Sequence, residues 1–248
     1  MRKMKVLKVL LLLVIYGHLL VDAHRFGYSQ GEQRLWKKNH KHCRGPHQSP
    51  IAIHTRRSIP VNIPAIEFIY YHNLLPSPLK IINDGHSVSL LISKPQNYTM
   101  FPYIFGGKLK NEYELVGLHF HWGDKNNRGA EHVLNDIRYP LEMHIIHINR
   151  KYSTVQEALT HKDGLTVLAF FYQIKETVGD GEEIHNIAKH LTQLDGASNK
   201  MQTLQYTFTL SSLIGNINTE RYYTYRGKYF HYYYNYSTNH DKQINNTL

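Results

Sequence analysis

The sequence predicts a mainly β fold with a few surface helices, and three observations support this. Residues 118–122 and 141–149 alternate in hydrophobic character, as half-buried strands do. Residues 164–172 form a short, almost continuously apolar run, which is typical of a buried strand. Residues 183–194 carry apolar side chains at the spacing of a helix that buries one face. Strand patterns therefore dominate the chain.

The first strand pattern contains a pair of histidines. Because side chains alternate across a strand, His119 and His121 lie on one face, while Leu118, Phe120 and Trp122 form a core face. Two imidazoles one pleat apart can reach a single metal ion at ~2.0–2.1 Å. An isolated pair of this kind is more often structural, so the pair alone does not define a metal site.

The second strand pattern, residues 141–149, supplies a third candidate ligand. Glu142, His144 and Ile146 share one face of this strand. His144 can join the first histidine pair, and Glu142 can orient a ligand histidine. Three histidines leave a tetrahedral zinc ion with one open position for water, which is the arrangement of a catalytic rather than a structural site.

Three motifs together, at residues 119–123, 131–132 and 142–147, resemble the signature of the α-carbonic anhydrase family. The resemblance implies a large, twisted, mostly antiparallel sheet with few surface helices. It implies reversible hydration of carbon dioxide to bicarbonate and a proton. It also implies that zinc on the three histidines lowers the pKa of a bound water, whose hydroxide attacks carbon dioxide.

The same resemblance implies roles for four further residues. His86, within the matching segment 79–88, stands where many members carry a proton-shuttling histidine. The alternative is a solvent-exposed histidine beside an Asp-Gly turn. Glu131 stands where the family has a glutamate that accepts a hydrogen bond from a threonine, which in turn orients the zinc-bound hydroxide. Ile146 and Val167 line the apolar carbon dioxide pocket, a role compatible with ordinary core packing.

Residues 1–23 predict a secretory signal, because basic residues precede an apolar run at 9–15 and small residues stand at 21 and 23. The alternative is a membrane anchor, for which the run is short. We therefore expect a secreted, extracellular chain without a stable membrane anchor. Sequons at Asn97, Asn235 and Asn245 are consistent with a glycoprotein.

The formal net charge is +10, and a cluster of basic residues follows the predicted signal. A solvated basic face explains this cluster better than an anionic partner does, and no nucleic-acid-binding motif accompanies it. The expected partner is a small molecule, carbon dioxide or bicarbonate. We expect the protein to be a monomer.

The resemblance ends abruptly after Gly227. We therefore predict a signal at 1–23, an incomplete anhydrase-like domain at 24–227 and an unrelated tail at 228–248 that is rich in Tyr and Asn. Phe230 stands where the family has the hydroxide-orienting threonine, and the family's last strands have no counterpart. Codons for residues 227–229 can spell a splice donor, which favours a retained intron over a divergent tail.

The break makes a fully active enzyme doubtful, and we expect this truncated chain to fold poorly or turn over slowly. Two alternatives to catalysis follow. The chain is a secreted, non-catalytic zinc-binding or interaction protein on an anhydrase scaffold, or it is a non-functional retained-intron product. Retention of all three histidines argues against a pure interaction role, because binding another molecule needs none of them.

Overall fold

The computed structural model describes residues 30–39, 41–83, 87–174, 187 and 200–227. The predicted signal, His86 and the predicted tail lie outside the described residues, and the boundaries proposed at 23 and 227 stay predictions. The chain divides into two compact units after Pro46. The first unit contains helix α1 (Gln30–Asn39) and a 3-10 helix (Lys41–Arg44). The side chain of Arg44 donates a hydrogen bond to the backbone carbonyl of Lys37 within this unit.

The second unit, from His47 onward, is built mainly of strands. Its described helices are short: a 3-10 helix (Thr55–Arg57), α2 (Val155–Ala158) and α3 (Leu210–Ile214). The described strands are β1 (Ala52–Ile53), β2 (Ile66–Ile69), β3 (Lys80–Asn83), β4 (Val88–Leu91), β5 (Tyr103–Gly106), β6 (Tyr113–Trp122), β7 (Val133–Leu134), β8 (Leu141–Asn149), β9 (Leu165–Tyr172) and β10 (Lys200–Thr203).

Eight of these strands form one sheet in which every pairing is antiparallel. Strands β6 and β8 lie side by side, with β9 beyond β8. The other edge of β6 pairs with β4, which leads to β3 and β10, and with β5, which leads to β2. Strands β1 and β7 form a separate parallel pair. The predicted mainly β fold with a large antiparallel sheet is confirmed.

A β-bulge in β6 determines which side chains of this strand face the core. The register against β8 shifts between Leu115 and Gly117, so Val116 is an extra residue in the ladder. The extra residue switches the alternation of faces. Apolar core side chains are therefore odd-numbered before the bulge and even-numbered after it: Tyr113, Leu115, Leu118 and Phe120.

The prediction that Trp122 belongs to the core was wrong, because its side chain is 48% exposed. It is the last residue of β6 and pairs with Leu141, the first residue of β8. The side chain therefore lies at the end of the sheet, where a residue on the core face of the strand is not necessarily buried by its neighbours. Leu118 and Phe120, farther inside the strand, are buried as predicted.

The apolar run at 164–172 does form a strand, β9, but the strand is not fully buried as predicted. Its side chains are half-buried, and Ala169 is exposed. In the part of the chain that the structure describes, β9 pairs with β8 alone. Among the described residues, one edge of β9 therefore has no neighbouring strand, and its side chains are only partly buried. Of the predicted helix at 183–194, only Ile187 is described; it is helical and 2% exposed.

A histidine on β8 belongs to the core. His147 is 0% exposed, and its Nε2 lies 2.6 Å from the hydroxyl oxygen of Tyr71. Burial lowers the pKa of His147 to about 3, because the charged imidazolium would lose its hydration there. The folded protein therefore holds this side chain neutral at ordinary pH.

His147 should make the fold less stable in mild acid. Its folded pKa is about 3, while a histidine in the unfolded chain takes up a proton near pH 6.5. Protonation below pH 6.5 therefore favours the unfolded chain, and the free energy of unfolding falls as the pH falls from 6.5 toward 3. This group alone contributes a slope of at most about 1.4 kcal/mol per pH unit.

Urea unfolding of the metal-free protein between pH 7 and pH 5 measures this slope. His147→Gln keeps a polar group facing Tyr71 but does not titrate. We therefore expect unfolding of the variant to take up about one proton fewer near pH 5, which makes the slope smaller by up to about 1.4 kcal/mol per pH unit. His72→Gln, at an exposed position, is the matched control and should keep the wild-type slope. Equal slopes for wild type and His147→Gln would contradict the prediction.

Candidate metal centre

Three histidine side chains meet on the face of the sheet opposite the core. His119 of β6 stands directly across from His144 of β8, and His121 follows one pleat later. The ring centroids are 4.8 to 5.0 Å apart. His119 Nε2 and His144 Nδ1 are separated by 3.1 Å. One nitrogen from each ring lies within 4.8 Å of the others, so the three can share one metal ion.

The environment keeps two of these rings neutral. Burial, followed by the proximity of His144 and His121, lowers the pKa of His119 well below its usual range. Burial and then His144 lower the pKa of His121 to about 3. Among the described residues, no group forms a hydrogen bond with the buried Nε2 of His121. Neutral imidazole is the form that binds a metal.

Glu142 fixes the orientation of His144. Its carboxylate is 0% exposed and Oε1 lies 2.6 Å from His144 Nε2. Oε1 also lies 2.5 Å from His132 Nδ1, and Oε2 accepts the backbone N–H groups of Glu131 and His132 at 2.8 Å each. Burial alone would raise the pKa of Glu142, but the hydrogen bonds from His132 and His144 outweigh it and hold this pKa well below its usual range.

The ionised carboxylate has a direct consequence for the tautomer of His144. An ionised carboxylate only accepts hydrogen bonds, so a neutral His144 carries its proton on Nε2. Nδ1 then holds the lone pair, and it is Nδ1 that faces His119. Glu142 thus presents the correct nitrogen of His144 to the shared position. The sequence predicted that Glu142 orients a ligand histidine but not which one.

His132, Glu142 and His144 also cluster closely enough to suggest a second metal position. The distances within this trio argue against it. Glu142 Oε1 lies 2.5 and 2.6 Å from the two imidazole nitrogens, which are hydrogen-bond lengths. Two ligands on one tetrahedral zinc ion are ~3.3 Å apart. Protons, rather than a metal ion, connect these three side chains.

Sequence reasoning missed the outer part of this network. His132 Nε2 lies 2.6 Å from the hydroxyl oxygen of Tyr225, which in turn lies 2.6 Å from Ser49 Oγ. Ser49 and Tyr225 are 176 residues apart in the chain. No periodicity or spacing connects positions so distant. The result is a hydrogen-bonded series from Ser49 through Tyr225, His132 and Glu142 to His144.

Glu131 approaches the histidines from a loop. Its Oε2 lies 3.4 Å from His121 Nε2 and 4.0 Å from His144 Nδ1. The side chain is 23% exposed, and burial raises its pKa. The resemblance predicted a threonine hydroxyl as its partner, and Phe230, which stands at that place, lies outside the described residues. Within the described ranges, no hydroxyl group forms a hydrogen bond with the Glu131 carboxylate.

The backbone before Glu131 packs tightly against the start of β8. The N–H groups of Gly129 and Ala130 both donate to the carbonyl of Tyr139, at 3.2 and 2.8 Å. A Cβ atom on Gly129 would come within 1.5 Å of the carbonyl oxygen of Pro140, so only glycine fits there. Arg138 also donates to the carbonyl of Ala130. These contacts fix the position of the backbone from which the Glu131 side chain extends.

The two predicted substrate-pocket residues lie beside the histidines. Ile146 of β8 and Val167 of β9 pair directly in the antiparallel register, one pleat from His144. Ile146 is 1% exposed, and Val167 is half-buried. Together they place an apolar surface beside the three histidines. The pocket role of this pair stays a prediction, as does the proton-shuttle role of His86.

Comparison with known proteins agrees with this geometry. Residues 31–229 match the family described as eukaryotic-type carbonic anhydrase. The chain is similar to carbonic anhydrase 15 of mouse, with 34% identity over 196 residues and 77% of this chain. It is also similar to carbonic anhydrase 6 of dog (32% identity, 90% of this chain) and to carbonic anhydrase 7 of mouse (35% identity, 62% of this chain).

The matched regions cover only part of these relatives. They account for 59% of carbonic anhydrase 15, 68% of carbonic anhydrase 6 and 57% of carbonic anhydrase 7. The family match, from residue 31 to residue 229, includes the segments that hold His119, His121, His144 and Glu142.

Proposed function

Because the chain belongs to the eukaryotic-type carbonic anhydrase family, we propose that it binds zinc and catalyses the reversible hydration of carbon dioxide to bicarbonate and a proton. The observation that supports this best is the convergence of three imidazole nitrogens at one position on the sheet. His119, His121 and His144 would hold the ion.

The donors suit zinc in chemistry and in spacing. The 3.1 Å between His119 Nε2 and His144 Nδ1 is close to the ~3.3 Å between two imidazole nitrogens on one tetrahedral zinc ion. Burial favours the neutral, metal-binding form of His119 and His121. When bound, zinc supplies a Lewis acid that lowers the pKa of a water molecule in its open position.

The chain's own residues would prepare this site. Glu142 holds a proton on His144 Nε2, which leaves Nδ1 to bind the ion. Ile146 and Val167 provide an apolar wall that excludes water and accommodates carbon dioxide, which has no net charge or dipole. His86 would carry the released proton to solvent, since an imidazole takes up and releases protons near neutral pH.

We further propose that the chain is secreted and extracellular, on the basis of the signal pattern at 1–23, and that it acts as a monomer. In the ranges that the structure describes, no helix is both long enough and apolar enough to cross a bilayer. Asn97, in one of the three sequons, is exposed in a turn, which suits a glycan in a secreted chain.

A second candidate function is zinc binding without catalysis. The observation that favours it is the position of Glu131, whose carboxylate faces the histidines and forms no hydrogen bond with a hydroxyl group in the described part of the chain. The relay implied by the resemblance needs such a hydroxyl to orient the attacking oxygen. A site without this relay would retain the ion and lose much of the rate.

One preparation distinguishes these candidates. We would express the full chain in a secreting eukaryotic cell, purify it, and measure its zinc content by mass spectrometry and carbon dioxide hydration by stopped flow. One zinc ion per chain with a rate abolished by a chelator supports the proposed enzyme. Zinc without a rate above buffer supports the binding protein. A chain that takes up no zinc overturns both.

A further inference from the structure

We propose that Asn97 carries an N-linked glycan and that the first sugar of this glycan, an N-acetylglucosamine, lies in a cavity beside the asparagine rather than projecting into solvent. The inference rests on the proposed secretion of the chain, because N-linked glycans are added to secreted chains. It depends neither on the proposed metal site nor on catalysis.

Asn97 lies in a tight turn that a transferase can reach. The N–H of Tyr98 donates to the carbonyl of Pro95 at 3.1 Å, and Asn97, the second central residue of this turn, has a φ of +64°. Turns with a positive φ at that position favour glycine or asparagine. Asn97 and Thr99 are exposed. The ring of Tyr98 contacts Phe101 edge-on, with centroids 6.3 Å apart, and this contact connects the turn to the core.

The glycan is transferred from a lipid-linked oligosaccharide diphosphate in the secretory pathway. The side-chain nitrogen of Asn97 forms a bond to the first carbon of the sugar as the bond between that carbon and the diphosphate breaks. The lipid diphosphate leaves with the bonding electrons, and the amide releases one proton to the transferase. The product is a bulky, polar surface group on an otherwise unchanged backbone.

A cavity of about 600 Å³ opens directly beside this turn. The whole sequon, residues 97–99, lines the cavity, together with Glu114 of β6, Ile148 of β8 and residues 152–153. Its volume lies within the ~300–1,000 Å³ of small-ligand pockets. A sugar attached to Asn97 therefore has a space of suitable size at its point of attachment.

The charged groups around this cavity compensate one another. Lys94 Nζ donates to the two carboxylate oxygens of Glu114 at 2.8 and 2.7 Å. The guanidinium of Arg150 donates to Glu114 at 3.3 Å and to Glu112 at 2.5 Å. Two cations thus face two carboxylates, and no excess charge is left to attract an ion. The cavity favours a neutral, polar occupant, and a sugar is one.

The rest of the lining is partly polar and partly apolar, as the surface of a sugar ring is. Thr99 and Ser153 offer hydroxyl groups to the sugar's own hydroxyl and acetamide groups, and Ile148 offers apolar surface to its C–H groups. Tyr152 is 8% exposed, and its hydroxyl donates to Asp163 at 2.8 Å. This part of the wall is therefore in place before a sugar binds, which lowers the cost of ordering it.

The covalent link makes even a weak contact effective. A tethered group is present at an effective concentration in the millimolar range. A group that binds the folded chain alone stabilises it by mass action. At an effective concentration of ~1 mM, a contact with a dissociation constant of ~0.2 mM would favour the folded cavity wall about 6-fold.

The test uses the full chain, secreted from a eukaryotic cell. Asn235→Gln and Asn245→Gln leave Asn97 in the only sequon. An endoglycosidase then trims the glycan to its first sugar, and mass spectrometry of the peptide that contains Asn97 verifies the attachment. Thr99→Val has nearly the same shape as the parent side chain, abolishes the sequon and leaves Asn97 in its turn, so it is the matched chain without a glycan.

Hydrogen exchange then locates the sugar. The backbone N–H groups of residues 150–153 are all hydrogen-bonded, so they exchange when this segment opens. We expect them to exchange about 6-fold more slowly in the chain that carries the sugar than in Thr99→Val. Residues 107–109, whose turn does not line the cavity, should exchange at equal rates in both.

A variant that fills the cavity separates occupation from attachment. Ser153→Trp places a large side chain at the wall, so the glycan should still be attached but the slower exchange should disappear. Ser58→Trp, the same substitution at an exposed position that does not line the cavity, should keep the slower exchange. Circular dichroism of each variant verifies that it is folded.

The cavity is separate from the proposed metal site. Ile148 follows His144 by four residues on β8, or by ~14 Å along an extended strand. Zinc content and carbon dioxide hydration should therefore be equal with and without the sugar. These two measurements report on the proposed function, whereas hydrogen exchange reports on the glycan.

Each outcome decides between the proposals. Slower exchange at 150–153 that disappears in Thr99→Val and Ser153→Trp supports the inference. A sugar on Asn97 that leaves this exchange unchanged would overturn its location and leave the proposed secretion intact. A secreted chain without a glycan on Asn97 would overturn the inference as a whole. A chain that is retained in the cell would overturn the proposed secretion, and this inference with it.

Discussion

His121→Ala should lose zinc binding while leaving the metal-free fold almost unchanged. Zinc bound by four protein ligands is worth roughly 10–16 kcal/mol, so one ligand contributes on the order of 3 kcal/mol, or about 100- to 1,000-fold in affinity. The imidazole forms no hydrogen bond through Nε2 with any described residue. Its removal therefore leaves no partner unsatisfied at that nitrogen, and the metal-free unfolding free energy should change by less than about 1 kcal/mol.

Chelator competition measures the zinc affinity, and urea unfolding in the presence of a chelator measures the metal-free stability. His72→Ala, at an exposed position outside the site, is the matched control and should change neither quantity. A His121→Ala chain that keeps wild-type zinc affinity would show that His121 is not a ligand.

Glu142→Ala should have the largest effect on stability. The carboxylate is 0% exposed, accepts two backbone N–H groups and faces the imidazoles of His132 and His144. Alanine would leave these buried donors without an acceptor, at about 1–3 kcal/mol each before water enters the gap. We expect a loss of about 3–5 kcal/mol in the unfolding free energy, as when one partner of a buried charged network is removed.

The same substitution should also lower zinc affinity about 10- to 100-fold, since Glu142 no longer orients His144. Urea unfolding of the metal-free chain and chelator competition report the two effects separately. Glu67→Ala, on the exposed face of β2, should change stability by less than about 0.5 kcal/mol. Equal stability of wild type and Glu142→Ala would contradict the network described above.

The two substitutions form a contrasting pair. His121→Ala is expected to affect metal binding alone, whereas Glu142→Ala affects both metal binding and the fold. The difference follows from hydrogen bonding rather than from burial, because both side chains are largely inaccessible. Of the two, only Glu142 connects the loop that carries Glu131 and His132 to strand β8.

Local alternation was sufficient to predict much of this arrangement. It indicated that His119 and His121 share one face of strand β6 and that Glu142 and His144 share one face of strand β8. An antiparallel pairing of β6 with β8 then brings His119 opposite His144 and His121 opposite Glu142. The pairing itself depends on contacts between distant segments, and for this reason the sequence required a family resemblance to suggest it.

The parts that sequence reasoning missed depend on tertiary contacts. The bulge at Val116 changes which residues of β6 face the core. Gly117 is the only residue beside it that disfavours a regular strand, and a single glycine does not predict a bulge. Trp122 is exposed because the sheet ends there, not because of its own hydrophobicity. The incomplete cover of β9 depends on which strands lie beside it, whereas composition reports only that the segment is apolar.

The hydrogen bond between Ser49 and Tyr225 also constrains the order in which the protein is assembled during synthesis. The two residues are 176 positions apart, so the outermost support of His132 is absent until nearly the whole described chain has left the ribosome. Strands β6 and β8 emerge earlier and can pair through a short intervening segment. The histidines are therefore expected to come together first, with their supporting network completed only when Tyr225 closes the loop that begins at Ser49.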